Sequence, residues 1–219
     1  MPVVVMSFLN SCDNRPKTEP TKKVTVSKPT INKDVKKMLV VGLQPFGDFD
    51  SGLLLLEQKE IESFYRVQCK ILQAIRLPEM SYYPPRNRYR ADSLLNFLES
   101  YNHGDIDLVV GLTGKDISCT NETFVDCGIF GLGLMPGHAC VVSTYSKRLG
   151  INASRALLEE RLTKVVLHEL GHNLGLDHCN TPNCLMEDAG GTIKTVDREK
   201  KEVCPKCSRF LSDLLRPKH

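Results

Sequence analysis

The segment His168-Glu169-Leu170-Gly171-His172-Asn173-Leu174-Gly175-Leu176-Asp177-His178 brings three imidazoles and a carboxylate together at a spacing that suits a metal site. Each residue of a helix turns about 100°, so His168 and His172, four positions apart, share one face. Glu169 lies about 60° from His172 on the same wheel, where its carboxylate can sit beside a bound metal without ligating it. Gly175 lets the chain leave the helix through a conformation with positive φ, and His178 returns as a third ligand. Three protein ligands leave one position for water, which separates a catalytic zinc site from a structural one. A bare H-E-x-x-H recurs by chance. The longer H-E-x-x-H-x-x-G-x-x-H adds fixed positions with separate physical tasks and is far more specific.

A second constellation follows. Cys179 and Cys184 have four residues between them, and Cys204-Pro205-Lys206-Cys207 is a C-x-x-C turn. Four thiolates would close a tetrahedral sphere, so a zinc held here would be structural. Two disulfides or a redox pair are the alternatives, although the strand and helix that should flank a thioredoxin-like pair are not evident. Met186, eight residues after His178, is either core filler or the Met-turn that underlies the ligands in metzincins. The chain holds nine cysteines, an odd number that disfavours a complete disulfide framework. Cys69 and Cys140 lie in apolar, strand-like surroundings and read as small buried hydrophobes. Cys119 and Cys127 fall in a loop region, as thiols or as a pair.

These residues need a scaffold. Met38–Leu43, Asp107–Leu112 and Ala139–Thr144 are short apolar runs suited to buried strands, and Val67–Ile75 begins with strand alternation. Leu53–Phe64 and Ala91–Tyr101 read as helices. Asn152 or Ser154 caps a long helix running to about Asn173. Residues 78–90 contain three prolines and read as a loop, and residues 122–134 are Gly-rich but apolar. Strands alternating with helices predict an α/β layer with a mostly parallel sheet.

Apolar residues at 41% and charged residues at 25% are ordinary for a globular protein. The net charge of +3 hides an asymmetry: residues 13–37 carry eight Lys/Arg against three Asp/Glu, leaving the remainder at −2. A near-neutral folded part gives no nucleic-acid footprint, and no apolar run is long enough for a transmembrane helix. Residues 1–37 read as a leader with a solvated, disordered linker. Within it, an apolar run ending in Leu9-Asn10-Ser11-Cys12 resembles a lipoprotein signal with a lipidated cysteine, but lacks the expected basic start. A cytoplasmic protein and a lipid-anchored cell-envelope protein are both open.

From His168 to Cys207 the chain reads H-E-x-x-H-x-x-G-x-x-H-C, four residues, Cys184-x-Met186, seventeen residues, C-x-x-C. This pattern resembles the archaemetzincins, a subgroup of metzincin zinc peptidases. Leu77-Pro78, Arg88-Tyr89-x-Ala91 and Phe130-Gly131 resemble softer upstream landmarks of the same family. The resemblance implies two zinc ions: a catalytic one on His168, His172 and His178, with Glu169 as general base, and a structural one on Cys179, Cys184, Cys204 and Cys207. It implies a metzincin-like domain over residues 38–219. An upper subdomain (38–175) would carry a twisted mixed sheet and the active-site helix, and a small lower subdomain (176–219) would follow Gly175. A monomer acting on a peptide or protein substrate is expected. A catalytically silent zinc-binding module and a zinc hydrolase of a non-peptide amide are the rival readings, the first disfavoured by an intact Glu169.

Overall fold

The computed structural model describes residues 3–6, 38–101, 104–120, 124–188 and 190–215. In chain order they form β1 (Val3–Met6), β2 (Val40–Pro45), α1 (Ser51–Tyr65), β3 (Gln68–Ile71), β4 (Tyr82–Tyr83), β5 (Arg88–Arg90), α2 (Ala91–Ser100), β6 (Leu108–Thr113), β7 (Ile117–Cys119), β8 (Cys127–Ile129), β9 (Gly131–Met135), β10 (Ala139–Ser143), α3 (Arg155–Asn173), α4 (Ile193–Arg198) and α5 (Pro205–Leu215). The expected leader, with Cys12, lies outside the described residues except for Val3–Met6, which adds a strand to the main sheet. No helix among the described residues is long and apolar enough to cross a membrane.

The main sheet has the order β1-β9-β10-β6-β2-β3. Strands β10, β6, β2 and β3 pair in parallel, while β9 runs antiparallel to β10 and β1 antiparallel to β9. This is the mixed, mostly parallel sheet expected. Its apolar runs are continuous because both faces are covered. Val41, Leu43, Val110, Leu112, Cys140 and Val142 enter one core with Leu53, Leu54 and Ile61 of α1 and Leu162 and Val166 of α3. Val109, Val141, Leu132 and Leu134 enter another with Leu94, Leu95 and Leu98 of α2. Strand β9 shows the two-residue period plainly. Leu132 and Leu134 turn to the α2 side, and Gly131 and Gly133 turn to α3.

Local chemistry sets the helix starts. The Asp50 carboxylate accepts from Leu53 N at 2.9 Å at the head of α1. Of the two candidate caps for α3, Ser154 is the one used, accepting from Leu157 N at 3.2 Å. Asn152 instead takes a positive φ of 50° in the preceding turn.

The loop expected over residues 78–90 contains β4 and β5, which join β7 and β8 in a second sheet of order β4-β5-β7-β8. Strands of two or three residues are too short to show a hydrophobic period. Paired charges tie this sheet together instead. Buried Arg88 contacts Asp116 at 3.1 Å and Asp126 at 3.3 Å, and Arg148 also pairs with Asp116. The Gly-rich stretch resolves into β8 and β9. Phe130 sits between them, and its carbonyl accepts from Ser143 N at 2.9 Å as the chain passes from one sheet to the other.

Under the main sheet, α1 and α3 meet at a buried polar pair. Thr163 Oγ1 donates to Glu57 Oε1 at 2.8 Å. Burial pushes the Glu57 carboxyl up to about 8. A folded-state value above the unfolded one means that the native state holds a proton which the unfolded chain has released. The stabilising contribution is full below pH 4.5 and declines as pH rises toward 8. Glu57→Gln should therefore be more stable than the parent at pH 8, with the difference closing by about pH 5. Urea melts across that range check it, and a constant difference would refute it.

Candidate active site and metal centres

Helix α3 carries the first three chemical groups of the motif. Its interior includes Gly171, at a cost of about 1 kcal/mol against alanine, and the packing explains the choice. A Cβ there would stand 2.6 Å from Met186 Sδ, the buried thioether directly beneath. Tyr65 of α1 supports the same turn by donating its hydroxyl to Leu167 O at 2.5 Å.

The helix ends as the glycine demands. Gly175 takes φ of 96°. Its N–H donates to His172 O and the Leu176 N–H to Gly171 O, both at 2.9 Å. This double bond pattern is the Schellman motif. It turns the Leu176 carbonyl back toward the helix, where it accepts from His172 Nδ1 at 2.7 Å. Leu185 O accepts from His168 Nδ1 at 2.7 Å. A carbonyl can only accept, so both Nδ1 atoms carry the proton and both Nε2 atoms present lone pairs.

Those lone pairs converge. His168 Nε2 and His172 Nε2 lie 3.0 Å apart. One nitrogen of His178 falls in the same group, with all three ligand atoms within 4.8 Å of one another. His178 Nε2 is buried without a hydrogen-bond partner. Burial holds His168 down to about 4 and His172 to about 2, and lowers His178. Neutral imidazoles with facing lone pairs repel one another unless a cation lies between them, so the donor set fits a metal ion.

Glu169 lies beside this group and is 1% exposed, with the Gly133 main chain of β9 against its carboxylate. Burial raises its affinity for a proton well above the carboxylate range. Strand β9 covers it. A Cβ on Gly131 would stand 2.8 Å from Glu169 Oε1, and one on Gly133 would stand 3.1 Å from Oε2 and 3.4 Å from His172 Cβ. A small cavity of about 10 Å³, room for about one water, borders His168 and Glu169; Phe130, Val165, Val196, Lys164 and Glu199 complete its lining.

The four downstream cysteines also converge, with their Sγ atoms within 4.8 Å of one another. All four are thiols, which removes the disulfide alternative. Cys184 Sγ accepts from Cys204 N at 3.2 Å, and Cys179 Sγ lies 3.6 Å from Cys204 Sγ. A main-chain hydrogen bond from Cys207 holds Cys204 down to about 6, whereas burial pushes Cys207 and Cys184 up. Buried thiols of this kind ionise together only around a cation. The other expected small hydrophobes, Cys69 and Cys140, are buried core residues. Cys119 and Cys127, expected in a loop, lie buried in β7 and β8 and face each other in the register of those strands.

The model of "Peptidase family M54" matches residues 61–213. The chain belongs to this peptidase family. It is similar to the archaemetzincin of Pyrococcus furiosus, with 32% identity over 191 residues, covering 83% of this chain and 95% of that one. With the archaemetzincin of Methanopyrus kandleri it shares 37% identity over 136 residues, covering 62% and 73%. The crystal structure of the latter superposes with a TM-score of 0.71 at 30% identity, over 82% of this chain and 97% of that one. The archaemetzincin of Archaeoglobus fulgidus, crystallised with malonate, gives 0.67 at 27% identity, over 78% and 99%. This M54 member is accordingly a zinc metallopeptidase, and its substrates are peptides.

Sequence reasoning named every side chain of the two clusters but not the groups that aim them. The carbonyls of Leu176 and Leu185 have no signature of their own. Gly171 did have one, since a glycine inside a helix asks for a packing reason. The contact with β9 is testable. Gly131→Ala should cut peptide hydrolysis about tenfold or more, because a small displacement of a reacting group is costly, while zinc content stays at the parental value. Turnover equal to the parent's would show that the strand tolerates the methyl group.

Proposed function

We propose that His168, His172 and His178 hold a catalytic zinc, that Cys179, Cys184, Cys204 and Cys207 hold a structural one, and that Glu169 is the general base. The observation that carries this reading is the set of imidazole lone pairs meeting beside a buried carboxylate. When bound, zinc acidifies a water to a pKa of about 7 and polarises the carbonyl under attack. Glu169 takes the water's proton on its carboxylate and returns it to the leaving amine. Gly175 sets the turn that brings His178 round, and Met186 packs under the helix from below.

The substrate site follows from β9. An extended peptide satisfies its main-chain groups by pairing with a sheet edge. Within the stretch Phe124–Leu134 the candidate is β9, whose glycine face lies on Glu169 and whose outer edge carries the short strand β1. Such an edge reads backbone rather than sequence.

Glu169→Gln keeps the shape and removes the base. It should retain zinc and melting behaviour yet lose hydrolysis by about 10²-fold or more. A variant that turns over near the parental rate would dismiss Glu169 from that role. Metal analysis should return two zinc ions per chain. Cys204→Ser should lower the count and the melting temperature together, because structural zinc contributes folding free energy; unchanged values for both would refute the second site.

A further inference from the structure

Strand β9 does not end the main sheet. Val3–Met6 lies along its outer edge, antiparallel, with Val3 opposite Met135, Val4 opposite Leu134, Val5 opposite Gly133 and Met6 opposite Leu132. On the other side of β9, Cys140 of β10 pairs with the same Gly133. Both edges of β9 are therefore engaged over Leu132 and Gly133, the part of the strand lying on Glu169 and His172. A strand has two hydrogen-bonding edges and no third, so a peptide cannot pair with β9 there while β1 is in place.

We propose that the N-terminal strand Val3–Met6 is an intramolecular competitor for the substrate: it occupies the outer edge of β9 and must leave before an extended peptide can pair there. This rests on the reading of β9 as the substrate edge. The strand is short, with four residues in register, and its ladder is confined to the sheet's end. Terminal strands of this kind open at low cost compared with global unfolding. A tethered competitor also acts at an effective concentration on the order of millimolar, which a free peptide at micromolar levels does not match. Apparent affinity for substrate then falls by the fraction of time that the edge is open. A strand docked nine-tenths of the time raises the apparent KM about tenfold and leaves kcat untouched.

The alternation of the ladder supplies the test. Neighbouring residues of a strand point their N–H groups to opposite sides, so one of Val4 and Val5 donates toward β9 and the other away from it. Proline removes the N–H and is tolerated on the outward side of an edge strand. In the full zinc-loaded chain, one of Val4→Pro and Val5→Pro should lower KM for a quenched peptide about 3- to 10-fold with kcat unchanged. Its sister should behave more like the parent. A labelled synthetic peptide of residues 2–8, followed by fluorescence anisotropy, should bind the first variant more tightly than the parent and should inhibit that variant competitively. The anisotropy arm needs no hydrolysis. Peptide binding without cleavage of any substrate by any of the three proteins would sink the peptidase mechanism and leave the strand exchange standing. Equal KM and equal peptide binding across parent and both variants would overturn the competitor. Loss of kcat and melting temperature with KM unchanged would also overturn it, since β1 would then be only a structural strand.

Discussion

Two hydrogen bonds from imidazole Nδ1 atoms to main-chain carbonyls hold the chemistry of this protein in place. The His168 bond to Leu185 and the His172 bond to Leu176 are both 2.7 Å. Each fixes a tautomer and a ring plane, and without them the two Nε2 atoms would not face one another at 3.0 Å. Neither acceptor belongs to α3 itself. Both come from the chain that follows Gly175, so the helix that carries the histidines depends on the segment after it to aim them. A turn that places Leu176 correctly is therefore part of the site, and the positive φ at Gly175 is its first requirement.

Close approach is the second constraint. Glu169 is wedged between α3 and β9, and that space exists only because β9 alternates glycine with leucine. The leucines fill the core under α2, and the glycines leave main chain against the carboxylate. Beneath the same helix, Gly171 lets the thioether of Met186 come up under the turn that carries His168 and His172. Each omitted side chain costs something in strand or helix propensity. The gain is a carboxylate held by main chain and packing on either side, with its position set by rigid elements rather than by a loop.

Much of this was legible in the sequence because the constraints are local. Helix periodicity placed His168 and His172 on one face, the Gly175 turn was read from a single residue, and the apolar runs found their places in the main sheet. The parts that were not legible depend on contacts distant in sequence. Strands β4 and β5 are too short to show a period and are held by Arg88, Asp116, Asp126 and Arg148, whose charges look like ordinary surface residues in a linear reading. Nothing in the α1 sequence marks Glu57 for burial, yet it is fully buried against Thr163. The apolar run at the start of the chain suggested a targeting signal, and four of its residues form β1. A short β-branched run suits both roles, and nothing local in it names the strand it pairs with.

The histidine and cysteine clusters are joined by the same segment that aims the histidines. Cys179 follows His178 directly, and its N–H donates to Met186 O at 2.7 Å. Leu185, whose carbonyl orients His168, lies between Cys184 and Met186 and donates its own N–H to Glu202 O at 2.8 Å. The third imidazole, one of the two orienting carbonyls and the supporting thioether are thus fastened to a stretch bounded by thiols. An imidazole must be placed within about 0.5 Å to serve a productive site, and a loop of eight residues without a sheet or helix of its own cannot hold that tolerance unaided. Closing the four sulfurs around one ion would convert that loop into a rigid bracket. A cluster that never meets substrate would in this way control the geometry at which substrate is cut.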